Sequence, residues 1–223
     1  FTGKKERVNS GAIFHEVDIR DFEKLAPLFH GARGIFHMAA QSRVPFAFQH
    51  PLLSHEINIT GTLNVLIAAR DAGVKRVIYP GSYVAYGPPK VPPFKEYMNV
   101  YPVMPYAIQK CVGEQYCEMI SRFFPLETVV FRFVNVYGPR QSGASDGPSA
   151  CVVGIFFEQR KRGEPITVVS DGTQRRDFIH VKDIVRANLL AMESKNVGKG
   201  EIINIGTGKN YSIIEVAETI GGP

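Results

Sequence analysis

The chain has 223 residues and a formal charge of +5 at pH 7, with 44% hydrophobic and 21% charged residues, the balance of an ordinary folded protein. Its basic residues gather only in short clusters such as Arg160-Lys161-Arg162 and Arg175-Arg176, which suits a small anionic ligand and argues against a nucleic-acid partner, where a dense basic stripe is usual. No run approaches the roughly 18 apolar residues of a membrane span, and Cys111, Cys117 and Cys151 show no metal spacing, so reduced thiols and a cytoplasmic setting are expected.

Apolar runs at residues 12–19, 34–38, 75–79 and 128–133 read as strands, and amphipathic stretches at 21–29, 53–72 and 106–123 read as helices. Strand and helix in alternation predict an α/β fold with a parallel sheet covered on both faces. In the helix over 53–72, Leu53, Ile57, Leu63, Leu66 and Ile67 fall near one face, and Gly73 stands in the usual position to end it. Residues 87–105 hold six prolines and are expected to form a loop leading into the helix at Tyr106. The pattern loosens after Gly138: residues 142–149 are polar and are expected to be flexible, and helices are predicted at 152–162 and 181–194. This second part is expected to be a small lobe.

Within the helix over 106–123, Tyr106 and Lys110 are four residues apart and so share a face. A phenol with a pKa of about 10 needs a nearby cation before it can take a proton near neutrality. Lys110 is the candidate cation, which makes Tyr106 a candidate general base for an alcohol or sugar hydroxyl. Ser82, 24 positions upstream at the end of an apolar run, is placed to hold that hydroxyl. In an open parallel sheet ligands sit beyond the carboxyl ends of the strands. Ser82, Asn135 and the pair Ala39-Ala40 each follow a predicted strand, so all three point to one crevice.

Taken with their neighbours, these residues resemble the extended short-chain dehydrogenase/reductase family, in particular its nucleotide-sugar epimerases and dehydratases and the UDP-hexose 4-epimerase branch. The carrying motifs are Val17-Asp18-Ile19-Arg20-Asp21, His37-Met38-Ala39-Ala40, Asn58-Ile59-Thr60-Gly61-Thr62 and Ser82-Tyr83-Val84-Ala85-Tyr86-Gly87. To these are added Tyr106 with Lys110, the run from Phe133 through Asn135 to Gln141, and Arg176-Asp177-Phe178-Ile179-His180. The resemblance implies a Rossmann-like doubly wound sheet with a small C-terminal substrate-binding lobe. Residues 1–140 would form the NAD-binding domain and 141–223 mainly the lobe, with segments returning to the sheet. It also implies NAD as cofactor, a nucleotide-sugar substrate, and a homodimer paired through the helices over 53–72 and 106–123. Ser82, Tyr106 and Lys110 would be catalytic. Asp18, Ile19, Ala39, Ala40, Asn58, Tyr106, Lys110 and Phe133 would line the cofactor, and Arg43, Ser82, Asn135 and Arg176 the substrate. The implied reaction oxidises sugar C4 transiently, passes through a 4-keto sugar and returns the hydride to the other face.

Residues 83–85 offer no carboxylate after Ser82, whereas dehydratases and decarboxylases of the family usually carry one there; this favours epimerisation over the 4,6-dehydratase or decarboxylase alternative. The sequence opens without the family's glycine-rich turn and first βαβ unit, so the chain is expected to be a piece of a longer enzyme, inactive or weak in NAD binding by itself. Arg43 stands where relatives place a small or hydroxyl residue. It reads either as a contact to an anionic group such as a uronate carboxylate or as a solvent-facing arginine. Pro80-Gly81 and the bulky Tyr83 also depart from the family pattern around Ser82. His37 and His180 read as structural residues, because neither has metal-ligand spacing.

Overall fold

The computed structural model describes residues 3–88, 93–145 and 150–221. Parts of two expected loops, residues 89–92 and 146–149, lie outside the described residues. In chain order the main elements are α1 (Phe22–Leu25), β1 (Gly34–Phe36), α2 (Val44–Gln49), α3 (Pro51–His55), α4 (Gly61–Asp71) and β2 (Arg76–Ser82). They continue with α5 (Pro105–Phe123), β3 (Glu127–Phe133), β4 (Asn135–Tyr137), α6 (Val152–Lys161), β5 (Arg175–Arg176) and β6 (Phe178–His180). The last are α7 (Val181–Glu193), β7 (Lys199–Ile205), β8 (Tyr211–Ser212) and α8 (Ile213–Gly221).

Four parallel strands form the main sheet in the order β1-β2-β3-β7. The middle strands β2 and β3 are buried along nearly their whole length, as the continuous apolar runs Val77-Ile78-Tyr79 and Val129-Val130-Phe131 predict for strands covered on both faces. One face is covered by α4 and α5, through Leu66, Ala69, Cys117 and Ile120 against Val77, Tyr79 and Val130. The other is covered by α7, through Ala187, Ala191 and Met192 against Ile78, Val129 and Phe131. This is a Rossmann-like doubly wound arrangement.

A second core joins Val153 and Phe156 of α6 to Ile213 and Ile220 of α8, with Ile166, Val168 and Phe178 packed against them. Around it lie two small sheets, β4 with β6 in parallel and β5 with β8 in antiparallel pairing.

Helix boundaries follow local chemistry. Residues 21–29 form α1 and then a 3₁₀ turn over Ala26–Phe29, because Pro27 has no N–H to continue the α-helical ladder. The predicted helix over 53–72 runs from α3 into α4 through a π-helical turn, Glu56–Thr60, and ends where Gly73 takes a φ of 68°.

Residues 12–19 do not form the predicted strand. Ile13 is 87% and Phe14 44% exposed, and the segment joins no sheet. Its far end is held by α4 instead. The Asn64 amide donates to the carbonyls of Ile19 and Arg20 at 3.0 and 3.1 Å, and Ile19 packs against Gly61, where a Cβ would meet its side chain at 2.6 Å. Carbonyls taken up by a helix side chain are no longer free for a strand ladder.

Candidate active site

Ser82 ends β2, paired in register with Phe133 at the end of β3. Its hydroxyl accepts from Val84 N at 3.4 Å and so caps the 3₁₀ turn Tyr83–Tyr86 that carries the chain off the sheet. Tyr106 lies in the first turn of α5, after Met104 in extended conformation and Pro105 at the helix start, where a fixed φ and a missing N–H cost nothing. Burial pushes the Tyr106 phenol up to about 12, while the hydroxyl of Ser82 and the charge of Arg43 pull the other way. Tyr106, Ser82 and Arg43 therefore converge at the carboxyl end of the sheet.

Lys110 follows one turn later, its ammonium bonded to the sheet. Nζ donates to the Pro80 carbonyl at 2.8 Å and sits 4.7 Å from the Tyr79 ring centroid, against 5.9 Å from that of Tyr106. Burial brings Lys110 down to about 8. Lys110 is thus tied to the sheet by its bond to the Pro80 carbonyl while still lying beside the Tyr106 ring.

A buried polar floor lies beneath these groups. His37 is 3% exposed, with Nε2 at 2.9 Å from Thr62 Oγ1 and its ring 5.8 Å from that of Tyr79. Burial, with Lys110 adding to it, takes the imidazole down to about 3, so it is neutral. Asn58, 1% exposed on the π-helical turn, donates to the Gln41 carbonyl at 2.8 Å and to Gln109 Oε1 at 2.7 Å, and accepts from Gln41 N at 2.8 Å. Ser54 completes the group by donating to Gln109 Oε1 at 2.8 Å. Asn58 therefore clamps the chain after β1 to the helix that carries Tyr106 and Lys110.

The other predicted site residues divide by position. Ala39 and Ala40 are exposed just past β1, and Phe133 and Asn135 flank the end of β3. Asn135 donates from its side chain to the Asp177 carbonyl at 3.0 Å, fixing β4 to the start of β6. Asp18 and Ile19 lie at the edge beside α4, where the Arg20 guanidinium pairs with Asp18 at 2.8 Å and holds its carboxyl below the usual range. Arg176 is exposed on β5 and donates to the carbonyl of Arg175 at 2.7 Å. His180 caps α7, its Nδ1 accepting from Lys182 N at 3.2 Å.

Comparison with known proteins is decisive at this point: residues 2–206 match the sequence pattern of the NAD dependent epimerase/dehydratase family. The chain belongs to that family. It superposes with a TM-score of 0.92 and 38% identity on the UDP-glucose 4-epimerase of Thermotoga maritima, solved with UDP-glucose, over 99% of this chain and 72% of that one. The Thermus thermophilus UDP-glucose 4-epimerase, solved with NAD, gives a TM-score of 0.87 at 32% identity over 98% of this chain and 71% of that one. The UDP-glucose 4-epimerase of Mycolicibacterium smegmatis is 36% identical over 189 residues, 84% of this chain and 59% of the relative. The chain thus spans from about three fifths to about seven tenths of the length of these relatives.

What is present fits the family's cofactor. Ala39 and Ala40, exposed and with no side chain beyond Cβ, leave the space past the end of β1 open to a flat ligand.

Several supporting residues were not identified from the sequence. Glu114 and Arg132, both almost fully buried, form an ion pair at 2.6 Å between α5 and β3. Glu114 also fills the space beside Gly81, directly before Ser82. Arg132 lies under the Tyr86 ring at 4.7 Å, and Tyr86 donates to Asn204 on β7 at 2.8 Å. The available signal was the stripe Tyr106, Lys110, Glu114, polar residues at helical spacing on a helix face that must be buried. Arg132 thus holds the Glu114 carboxylate in place behind Ser82.

Proposed function

We propose that the full-length protein is an NAD-dependent 4-epimerase of UDP-hexoses. The observation that carries this reading is the Tyr106 phenol set against the Ser82 hydroxyl at the carboxyl end of the sheet, with Arg43 acting on it and Lys110 one turn below. Bound NAD supplies a reversible hydride acceptor for sugar C4. Ser82 orients the 4-hydroxyl, and Tyr106 takes its proton as C4 is oxidised. Arg43 lowers the cost of the phenolate, while Lys110 holds a second positive charge on the same helix face. Return of the hydride to C4 on the other face, with the proton from Tyr106 going back to the 4-oxygen, would leave no net redox change. Asp18, Ala39, Ala40 and Phe133 would line the cofactor, with Asn58 holding the strand end in place; Asn135 and Arg176 would hold the nucleotide sugar.

The test is product analysis. NMR of mixtures with a panel of UDP- and GDP-sugars should show the 4-epimer with its 6-hydroxyl intact, whereas a dehydrated product would assign the protein to the 4,6-dehydratases. Tyr106→Phe should lower interconversion by about a hundredfold or more while NAD stays bound; unchanged turnover would remove Tyr106 as the base.

The same reading makes the enzyme a cytoplasmic homodimer. Support comes from Cys111 and Cys117, both buried thiols outside any disulfide, and from apolar residues exposed around α5: Phe48, Leu52, Ile108 and Phe123, at 58, 80, 47 and 69%. Among the described residues no helix is long and apolar enough to cross a membrane.

A further inference from the structure

Lys110 is a buried lysine of α5, and burial disfavours its ammonium. Two neighbours on the same helix would favour it if ionised, Cys117 and Glu114. Burial pushes the Cys117 thiol up and keeps it neutral, and the Glu114 carboxylate is taken by Arg132 at 2.6 Å. Burial likewise keeps the His37 imidazole and the Tyr106 phenol uncharged. What lies against the ammonium is the Pro80 carbonyl, at 2.8 Å from Nζ, and the face of the Tyr79 ring, whose centroid is 4.7 Å away. The π electrons of an aromatic face attract a cation, most strongly where water is excluded.

The ring is held in that place by its own packing. Tyr79 stands in the middle of β2, 1% exposed, and its hydroxyl end reaches under α5 to Gly113, where a Cβ would run into it. Glycine is costly inside a helix, so its presence there calls for a packing reason. Lys110 and Gly113 are three residues apart and share a helix face. The face that carries the ammonium therefore also carries the notch that admits the ring.

We propose that Tyr79 is a positioning residue whose ring face holds the Lys110 ammonium in its charged form one turn from Tyr106. This inference rests on the reading of Tyr106 as the base of a C4-epimerase. In the full-length protein, Tyr79 is replaced in turn by phenylalanine and by its mono-, di- and trifluorinated forms. These keep the shape that fills the notch at Gly113, while each fluorine draws electron density off the ring face. Lys110 is then titrated by NMR of isotope-labelled lysine, with Lys110→Met identifying its signal. Its pKa should fall stepwise, by about one unit across the series. Near pH 8, where Lys110 itself titrates, kcat for UDP-glucose should fall with it by about fivefold. A titration that stays the same across the series overturns the role of the ring. So does one that moves while kcat does not, since the reaction would then make no use of the charge the ring holds. Absence of UDP-sugar turnover in the unsubstituted protein overturns the epimerase reading instead, because the titration reads the ring and the ammonium without substrate.

Discussion

Two buried bases set how this site responds to pH. Lys110 has its ordinary value of 10.5 lowered to about 8 by burial, so below about pH 8 the folded protein holds an ammonium its surroundings disfavour. The cost is present in full below about 8, shrinks as pH rises and is gone above 10.5. Lys110→Met should therefore abolish turnover yet stabilise the fold at pH 7 by about 1–3 kcal/mol. Urea unfolding of both proteins should show that gap closing towards pH 10.5; a constant gap would place the lysine in contact with water. His37 is shifted from 6.5 to about 3, so it is neutral when folded and takes up a proton first in the unfolded chain. Its contribution is whole above pH 6.5 and is lost as pH falls towards 3, about 2 kcal/mol of it by pH 5. His37→Gln should flatten this part of the stability profile, which unfolding curves at pH 7 and pH 5 would measure.

At the scale of elements, the contact between α5 and the sheet decides where Ser82 and Tyr106 meet. Glu114 and Arg132 are each buried, so removing one partner leaves the other as an unpaired charge. Glu114→Ala should cost about 3–5 kcal/mol, and the double change Glu114→Met with Arg132→Met should recover most of it, because two apolar side chains carry no stranded charge. Urea denaturation of the three variants checks both. Packing is as tight one residue earlier, where a methyl group on Gly113 would run into the Tyr79 phenol, itself 1% exposed. The helix over 106–123 was legible from its spacing and from Pro105, but its burial against Glu114 and Arg132 was not, since nothing local marks which charged residues of a helix face inward. The π-helical turn Glu56–Thr60 was hidden for a related reason: a 3.6-residue pattern continues across it, while the widened turn takes Asn58 into the clamp with Gln41 and Gln109.

For the whole molecule, the exposed apolar residues around α5 predict self-association. Light scattering of the full-length protein should give a dimer mass, and Ile108→Asp, a charge placed on a residue 47% exposed, should shift it towards the monomer without loss of helical signal. An unchanged mass would put the interface elsewhere. The two cores differ in how far sequence revealed them. The main sheet was expected from its runs of β-branched and aromatic residues, though not its fourth strand β7, whose residues 199–205 were not marked as a strand. The second core joins α6 to α8 beside the two-residue strands β5 and β8, elements too short or too far apart in sequence to show a pattern.

By itself the sequence determined the alternation of strand and helix, the family, and the register that puts Ser82 at a strand end and Tyr106 and Lys110 on one helix face. These follow from spacing along single elements. Only the tertiary structure decided that Lys110 bonds Pro80, that Asn58 is a clamp and that residues 12–19 join no sheet. Each of these depends on which distant groups share a buried space and on how much water is left there, and neither is written in the order of residues along one element.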